Sequence, residues 1–500
     1  IPGSGLLATV VPCAFGGWMT LLRDHGRLAL REVLEPAIGY FEHGHPMLPR
    51  VSDSIRELTD LFSNEWPTSG AVYLPGGNVP EARKLFANKA AAATYRRILS
   101  EAEAAGSDRQ KQIQAAYDAW YKGFVAEAMD RFCRSTEAMD SSGRRNKGLL
   151  TADDMARWQP TYETPASATY HDWEVFKIGP WGQGPAFLQT LKILEGIDLA
   201  GMGPDSPDFV HHVVEAMKLA FADREAYYGD PDFVKVPLAT LLSEDYAAGR
   251  RSLIGERASL ELRPGIVPGF EAQVAHALKA LGAIAQPGQT SAAVGEPTMA
   301  SMVAAGRKGD TVHIDIIDKD GNMISATPSG GWLQSSPVIP EIGFPLGTRG
   351  QMFWLEEGLP GSLAPGKRPR STLTPTLAHR DGKPYMVWGS PGGDQQDQWV
   401  TQMFLRHVHC DMNLQEAIDA PAWHSEHFPS SFWPRTARPG VLVVEGRIPQ
   451  GTVAELRKRG HEVEVNDDWS EGRLTAATRE DPWRKAAANP RGMQGYAAGR

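Results

Sequence analysis

The sequence predicts an α+β protein in which a mainly helical first half leads through a loose stretch into a strand-rich second half. Three observations carry this expectation. Residues 30–64 and 81–133 are rich in Ala, Leu, Glu, Arg and Lys, with apolar residues recurring at helical intervals. Residues 264–310 are weakly patterned and punctuated by Pro264-Gly265, Pro268-Gly269, Pro287-Gly288 and Gly295-Glu296-Pro297, as a surface linker is. Beyond Asp310 the texture changes to alternation: Val312, Ile314 and Ile316 interleave with His313 and Asp315.

A chain of 500 residues exceeds one ordinary core, so two structural segments or one large two-lobed domain are expected. With 42% hydrophobic and 22% charged residues, the composition is that of a soluble globular protein. The formal net charge of -9 argues against a nucleic-acid partner. Cys13, Cys133 and Cys410 are far apart and lack C-x-x-C spacing, so they read as buried thiols rather than a disulfide framework or a zinc site. From Leu6 to Leu22 no residue is charged, but there is no basic flank, and Pro12 and Gly16-Gly17 interrupt the run. It is read as the start of a buried helix rather than a secretory signal. No other stretch has the length of a membrane span. The initial Ile1 is read as the mark of a processed or truncated product, and the compartment, cytoplasmic or periplasmic and secreted, is left open.

The clearest helix starts at Ser206-Pro207-Asp208, with Ser as N-cap and Pro in the first turn. Phe209, Val213, Val214, Met217 and Phe221 form one apolar face, and the helix ends near Tyr228-Gly229. Thr311 opens a β-hairpin whose turn is Asp318-Lys319-Asp320-Gly321 and whose return strand is Asn322 to Thr327. Strands are expected at Thr374 to His379 and Pro384 to Trp388, then helices around Asp397 to His407 and from Asn413.

Three elements carry chemistry. A threonine hydroxyl becomes a nucleophile when a base takes its proton, and a free α-amino group on the same residue serves as that base. Its pKa of about 7.7 to 8.0 suits both accepting and returning a proton. Thr311 qualifies if the chain is cut between Asp310 and Thr311, although by spacing alone an ordinary strand-initiating threonine is the commoner case. The second element, Gly389-Ser390-Pro391-Gly392-Gly393, directly follows a strand candidate. Its glycines let backbone N–H groups converge on an oxyanion, the alternative being a tight turn. It is neither G-x-S-x-G nor a P-loop. The third, Lys367-Arg368-Pro369-Arg370-Ser371-Thr372, sets adjacent hydroxyls after a basic cluster, suited to a carboxylate or to a solvated turn. His407, His409, Cys410, His424 and His427 lack a metal-binding frame, so no metal is expected. Trp332 and Trp388 are assigned to packing.

In this order the elements resemble the γ-glutamyltranspeptidase family. Its nucleophile segment, approximately Thr-Thr-His-x-Ser with a later Asp-Gly-Asn turn, appears as Thr311-Val312-His313-Ile314-Asp315 and Asp320-Gly321-Asn322. Its Lys-Arg-Pro-x-Ser-Ser-x-Ser-Pro-Thr pattern appears as Lys367 to Thr376, and its Gly-Ser-Pro-Gly-Gly loop is intact. Ala222-Asp223-Arg224, Tyr228 to Val234, Glu261 to Gly265 and Asn489-Pro490-Arg491 match in order as well.

The resemblance implies a four-layer αββα sandwich of the N-terminal-nucleophile hydrolase type. Thr311 would attack the Asp310 carbonyl, leaving residues 1–310, a large-subunit segment, and 311–500, a small-subunit segment, as associated products. The freed Thr311 would form an acyl-enzyme with an amide or γ-glutamyl substrate and pass the acyl group to water or an acceptor amine, without metal or organic cofactor. By the same resemblance Gly392 and Gly393 bind the oxyanion and Ser329 assists the nucleophile. Ser371 and Thr372 hold the glutamyl α-carboxylate, and Gln351 lines the substrate pocket.

The chain also departs from the family pattern. Val312 and Gly331 replace a threonine and an asparagine, and the acidic pair that binds the substrate amine is replaced by Phe353-Trp354. Trp354 is therefore expected as a pocket wall, and Arg370, a non-family residue, as a contact for a substrate carboxylate. The family's early arginine-bearing segment has no counterpart before Ile1, so the large-subunit segment is expected to lack its natural N-terminal part. Two rival readings remain: an acylase for a glutaryl-like or aromatic amide, and a catalytically silent scaffold that binds a small molecule. A serine hydrolase using Ser390 is disfavoured by the elbow spacing.

Overall fold

The computed structural model describes residues 1–282, 311–330 and 333–499. These form two compact units, the first from residues 1–162, 330 and 333–351, the second from 163–282, 311–329 and 352–499.

The first unit is helical, as the composition of residues 30–64 and 81–133 predicts. Helices Leu30–His43, Lys89–Ala104, Arg109–Tyr121 and Phe124–Ser135 enclose a core that includes Ile38, Ile98, Ile113, Trp120 and Met129. Asn88 and Asp108 cap two of them, accepting hydrogen bonds from the backbone N–H groups of Ala91 (3.1 Å) and Lys111 (2.8 Å). The uncharged N-terminal stretch enters helix Ala14–Asp24, which buries Phe15 and Met19. Trp120 stacks between Phe15 and Phe344, at 4.3 and 5.4 Å between ring centroids.

The second unit is built on a six-stranded antiparallel sheet. Its strands are β1 (Ala166–Tyr170), β2 (Trp173–Lys177), β5 (Thr376–Arg380), β6 (Lys383–Gly389), β10 (Thr475–Glu480) and β11 (Trp483–Ala488), in the order β11-β10-β6-β5-β2-β1. The hairpin β3 (Ile314–Ile317) and β4 (Met323–Ala326) packs against β6 and β10. Helices α1 (Gly184–Leu194) and α4 (Gln396–His409) cover the opposite face, where Trp388 of β6 stacks on Phe404 at 5.2 Å. Because side chains alternate along a strand, the neighbouring Gly389 faces the hairpin. Strands β7 (Trp423–Ser425), β8 (Val441–Glu445) and β9 (Glu462–Asn466) form a smaller sheet. The strands at 166–177 lie in the half that reads as mainly helical, where periodicity gave no sign of them.

Two expectations need correction. Helix α2 (Pro207–Tyr227) starts as predicted, with the Ser206 hydroxyl accepting from the Phe209 N–H at 3.0 Å, but it is enclosed nearly all round rather than on one face. Its charged residues remain inside because they are paired, Glu215 with Lys218 and Arg224 with Glu225. The expected linker is also structured in part. Asp223 accepts from the Gly265 N–H at 2.7 Å, and helix α3 (Glu271–Gly282) buries Val274, Ala277 and Leu281. Residues 283–310, with the proposed cut at Asp310, and Gly331 and Trp332 lie outside the described residues.

Candidate active site

Thr311 is buried at the head of the hairpin, and its Oγ1 lies 2.9 Å from the Ser329 Oγ. The Val312 N–H donates to the Pro328 carbonyl at 3.1 Å, which holds the two ends of the hairpin together. Alternation along this strand is inverted relative to an ordinary half-buried hairpin. Val312, Ile314 and Ile316 are exposed, while Thr311, His313 and Asp315 point toward the six-stranded sheet. The inward polar face is satisfied internally. His313 bonds Thr327 through Nδ1 at 2.8 Å and Asp315 through Nε2 at 2.9 Å, and the Thr475 hydroxyl donates to Asp315 at 2.7 Å.

The glycine loop leaves β6 directly above His313. Gly392 has φ of +132° and a Cβ there would fall 2.5 Å from the Trp399 ring, so only glycine fits; Gly393 is left-handed too, at φ +60°. The chain then enters α4, so the loop's N–H groups sit at the positive end of a helix of 14 residues, a setting that favours developing negative charge. The Ser390 hydroxyl is turned to the Pro391 carbonyl at 2.6 Å.

The hydroxyl segment is tied to this loop by a turn that sequence patterns do not reveal. The Trp181 carbonyl accepts from the Ser371 N–H at 2.7 Å, and two residues later Gln183 donates through Nε2 to the Gly393 carbonyl at 3.3 Å. Ser371 Oγ accepts from the Leu373 N–H at 3.1 Å. Thr372 Oγ1 is buried and has no hydrogen-bond partner among the described residues. The structure thus gathers Thr311, Ser329, Gly392, Gly393, Ser371 and Thr372 onto connected elements of the second unit. Gln351 belongs to the first unit, where its side chain donates to the Gly3 carbonyl at 3.1 Å.

Arg370, expected at a substrate carboxylate, is buried and ion-paired to Glu225 at 2.9 Å, with Ser431 Oγ at 3.3 Å. Arg224 joins the same cluster, pairing with Glu225 at 2.8 Å and with Asp394 at 2.5 Å. Burial by itself would raise the Asp394 carboxyl, but Arg224 and two bonds from Ser431 outweigh it and hold the group below its usual range. Trp354 is buried beneath Arg435, whose Cζ lies 4.2 Å from the ring centroid. No single-residue signal marks Arg435 or Gln183, because neither lies in a recognisable motif.

The histidines are otherwise engaged. His407 bonds the Met412 carbonyl, His409 bonds Tyr170 and His427 bonds the Glu261 carbonyl. His211, Glu215 and His461 bring ligand-type atoms within 4.8 Å of one another. Glu215 is paired with Lys218 and Arg263, however, and burial together with Lys218 pushes His461 down to about 2. A dication there would meet those cations.

The model of the gamma-glutamyltranspeptidase family matches residues 1–499. The Acylase ACY 1 proenzyme of Pseudomonas sp. (strain SE83) is 29% identical over 92% of this chain and 69% of its own length. The glutathione hydrolase proenzyme of Pseudomonas sp. (strain A14) is 28% identical over 86% of this chain and 66% of its own. The chain thus spans about two thirds of the length of these curated relatives. Among solved structures, that of LmbA2991T421A is 50% identical with a TM-score of 0.92, covering 100% of this chain and 83% of that one. Cephalosporin acylase from Bacillus halodurans is 26% identical with a TM-score of 0.78, covering 100% and 79%.

Proposed function

This chain belongs to the gamma-glutamyltranspeptidase family, and from that membership we propose that it is a self-processing amidohydrolase whose nucleophile is Thr311. The observation that carries the reading is the Thr311–Ser329 contact of 2.9 Å at the head of a hairpin docked beneath the glycine loop. Cleavage between Asp310 and Thr311 frees an α-amino group that takes the Thr311 hydroxyl proton, as Ser329 steadies the oxygen. Attack on an amide carbonyl gives a tetrahedral intermediate, with its oxyanion at the N–H groups of Gly392 and Gly393. Collapse breaks the C–N bond as the α-ammonium returns its proton to the departing amine, and the acyl group left on Thr311 then passes to water or to an acceptor amine.

The product segments 1–310 and 311–500 stay together through the six-stranded sheet. Strand β2, before the cut, pairs with β5, after it, from Trp173↔Arg380 to Lys177↔Thr376. The order of helices, six-stranded sheet and hairpin in the second unit supports the αββα architecture we assign to that unit. The acyl donor is a γ-glutamyl or related acyl amide, its carboxylate received by Ser371 and Thr372, with Trp354 as a pocket residue. The acylase reading, for a non-glutamyl acyl group, is favoured at Trp354, where an aromatic ring lies under a guanidinium.

Intact-mass measurement of the full-length protein tests the proposal. Wild type should give two chains meeting at Asp310 and Thr311, and Thr311→Ala a single chain. A wild-type protein that stays whole would turn the reading to the catalytically silent scaffold.

A further inference from the structure

We infer that Arg435, seated on Trp354, is the specificity-determining residue of the acyl subsite, selecting donors whose acyl group carries a carboxylate and no ammonium group there. The inference rests on the reading of Thr311 as nucleophile and deepens it by naming the substrate class.

The placement of Arg435 is specific. Its guanidinium lies over the Trp354 face, Cζ 4.2 Å from the centroid, where the ring quadrupole favours a cation. Its Nη2 donates to the Phe353 carbonyl at 2.8 Å, so Phe353 and Trp354 together fix the group. Its backbone is left-handed, at φ +65°, in a turn closed by the Arg435 N–H donating to the Phe432 carbonyl at 2.7 Å. Few non-glycine residues adopt that conformation, and here it aims a long side chain back at Trp354.

Arg370 and Arg224 are fully enclosed and held by Glu225 and Asp394, and Arg435 beside them is partly exposed. The cluster abuts the reaction centre, because Asp394 directly follows Gly393. Burial and the charge of Arg370 bring Arg435 down to about 10, so it is still a cation at neutral pH. The segment that carries Arg370 also presents the buried Thr372 hydroxyl, which has no partner among the described residues and suits a ligand oxygen.

The chemistry of recognition follows. An ammonium approaching Trp354 meets a like charge in a poorly solvated place, which is disfavoured. A carboxylate in the same place gains a charge-assisted hydrogen bond from a planar donor. An uncharged acyl chain gains neither.

The test compares glutaryl-, γ-glutamyl- and butyryl-p-nitroanilide on the full-length protein, with calorimetric binding of glutarate as a readout independent of turnover. Wild type should favour the glutaryl compound on the order of 10²-fold in kcat/KM over either of the others. Arg435→Gln should remove that preference mainly through KM and weaken glutarate binding at least about tenfold. Arg435→Lys should restore part of it. If Arg435→Gln fails to fold, Arg435→Lys and Trp354→Leu supply the same comparison, each expected to weaken glutarate binding.

A γ-glutamyl preference in wild type, or glutarate affinity unchanged in the folded Arg435 or Trp354 variants, would overturn the inference. Failure of the nucleophile reading shows instead as an uncleaved wild-type chain without anilide turnover, and glutarate binding then decides the Arg435 assignment alone.

Discussion

The His313 imidazole lies so close to the Gly389 backbone that a Cβ built on Gly389 would fall 2.2 Å from its Cε1. This contact seats the Thr311 hairpin under the glycine loop, and it exists because residue 389 has no side chain. His313 is clamped by Thr327 and Asp315 and has little room to yield. Gly389→Ala should therefore cost about 1 to 3 kcal/mol of stability, as overpacking does, and slow self-cleavage. Thermal unfolding and the rate of appearance of the two chains check this; wild-type stability in the variant would mean the hairpin is not seated as described.

At Gly392 two constraints coincide, the φ of +132° and the Trp399 ring 2.5 Å from a built Cβ. Gly392→Val should move the loop N–H groups and lower turnover by about 10²-fold or more, comparable with losing one oxyanion donor. Circular dichroism alongside kinetics separates this from unfolding, and full turnover in a folded variant would remove the loop from the mechanism.

The Thr372 hydroxyl has no partner among the described residues, so its removal should not cost the free protein a hydrogen bond. Thr372→Val is accordingly expected to leave thermal stability unchanged or slightly raised, while KM for a carboxylate-bearing donor rises about tenfold, the worth of one hydrogen bond to a charged group. A drop in stability without any change in KM would assign the hydroxyl to the scaffold.

His424 is buried between Glu471, at 3.0 Å, and Glu426, at 3.4 Å. Burial by itself would depress its pKa, but the two carboxylates outweigh it and raise the imidazole to about 9. Since an unfolded histidine titrates near about 6.5, the folded state binds the extra proton between those values. The contribution is thus complete below about pH 6.5, declines as pH rises and is lost above about pH 9, on the order of 3 kcal/mol in all. Urea unfolding from pH 6 to pH 10 should show wild-type stability falling more steeply than that of His424→Gln. Equal slopes would place the proton elsewhere.

Much of the local structure is legible in the sequence because its causes are local. Ser206 caps α2, Asp318 to Gly321 turns the hairpin, and Gly389 to Gly393 leaves a strand for a helix, all within a few residues of the signals that announce them. The strands β1 and β2 were not legible, since Ala166–Tyr170 and Trp173–Lys177 are short, pair with each other and join the sheet only where Trp173–Lys177 meets Thr376–Arg380 some 200 residues later. The direction of the hairpin was not legible either. Alternation separates Val312, Ile314 and Ile316 from Thr311, His313 and Asp315, but it does not say which set turns inward.

By itself, then, the sequence determined the family and the order of the chemical elements, and it singled out Thr311 as the nucleophile proposed here, because motifs of glycines, hydroxyls and turn residues record backbone requirements that act over a few positions. Only the tertiary structure decided which charges those elements meet. Arg370 is committed to Glu225, 145 residues away, and Arg435 comes to rest on Trp354 from a turn with no motif of its own. Ion pairing and ring stacking depend on distances across the core, and those distances exist only once the chain has folded.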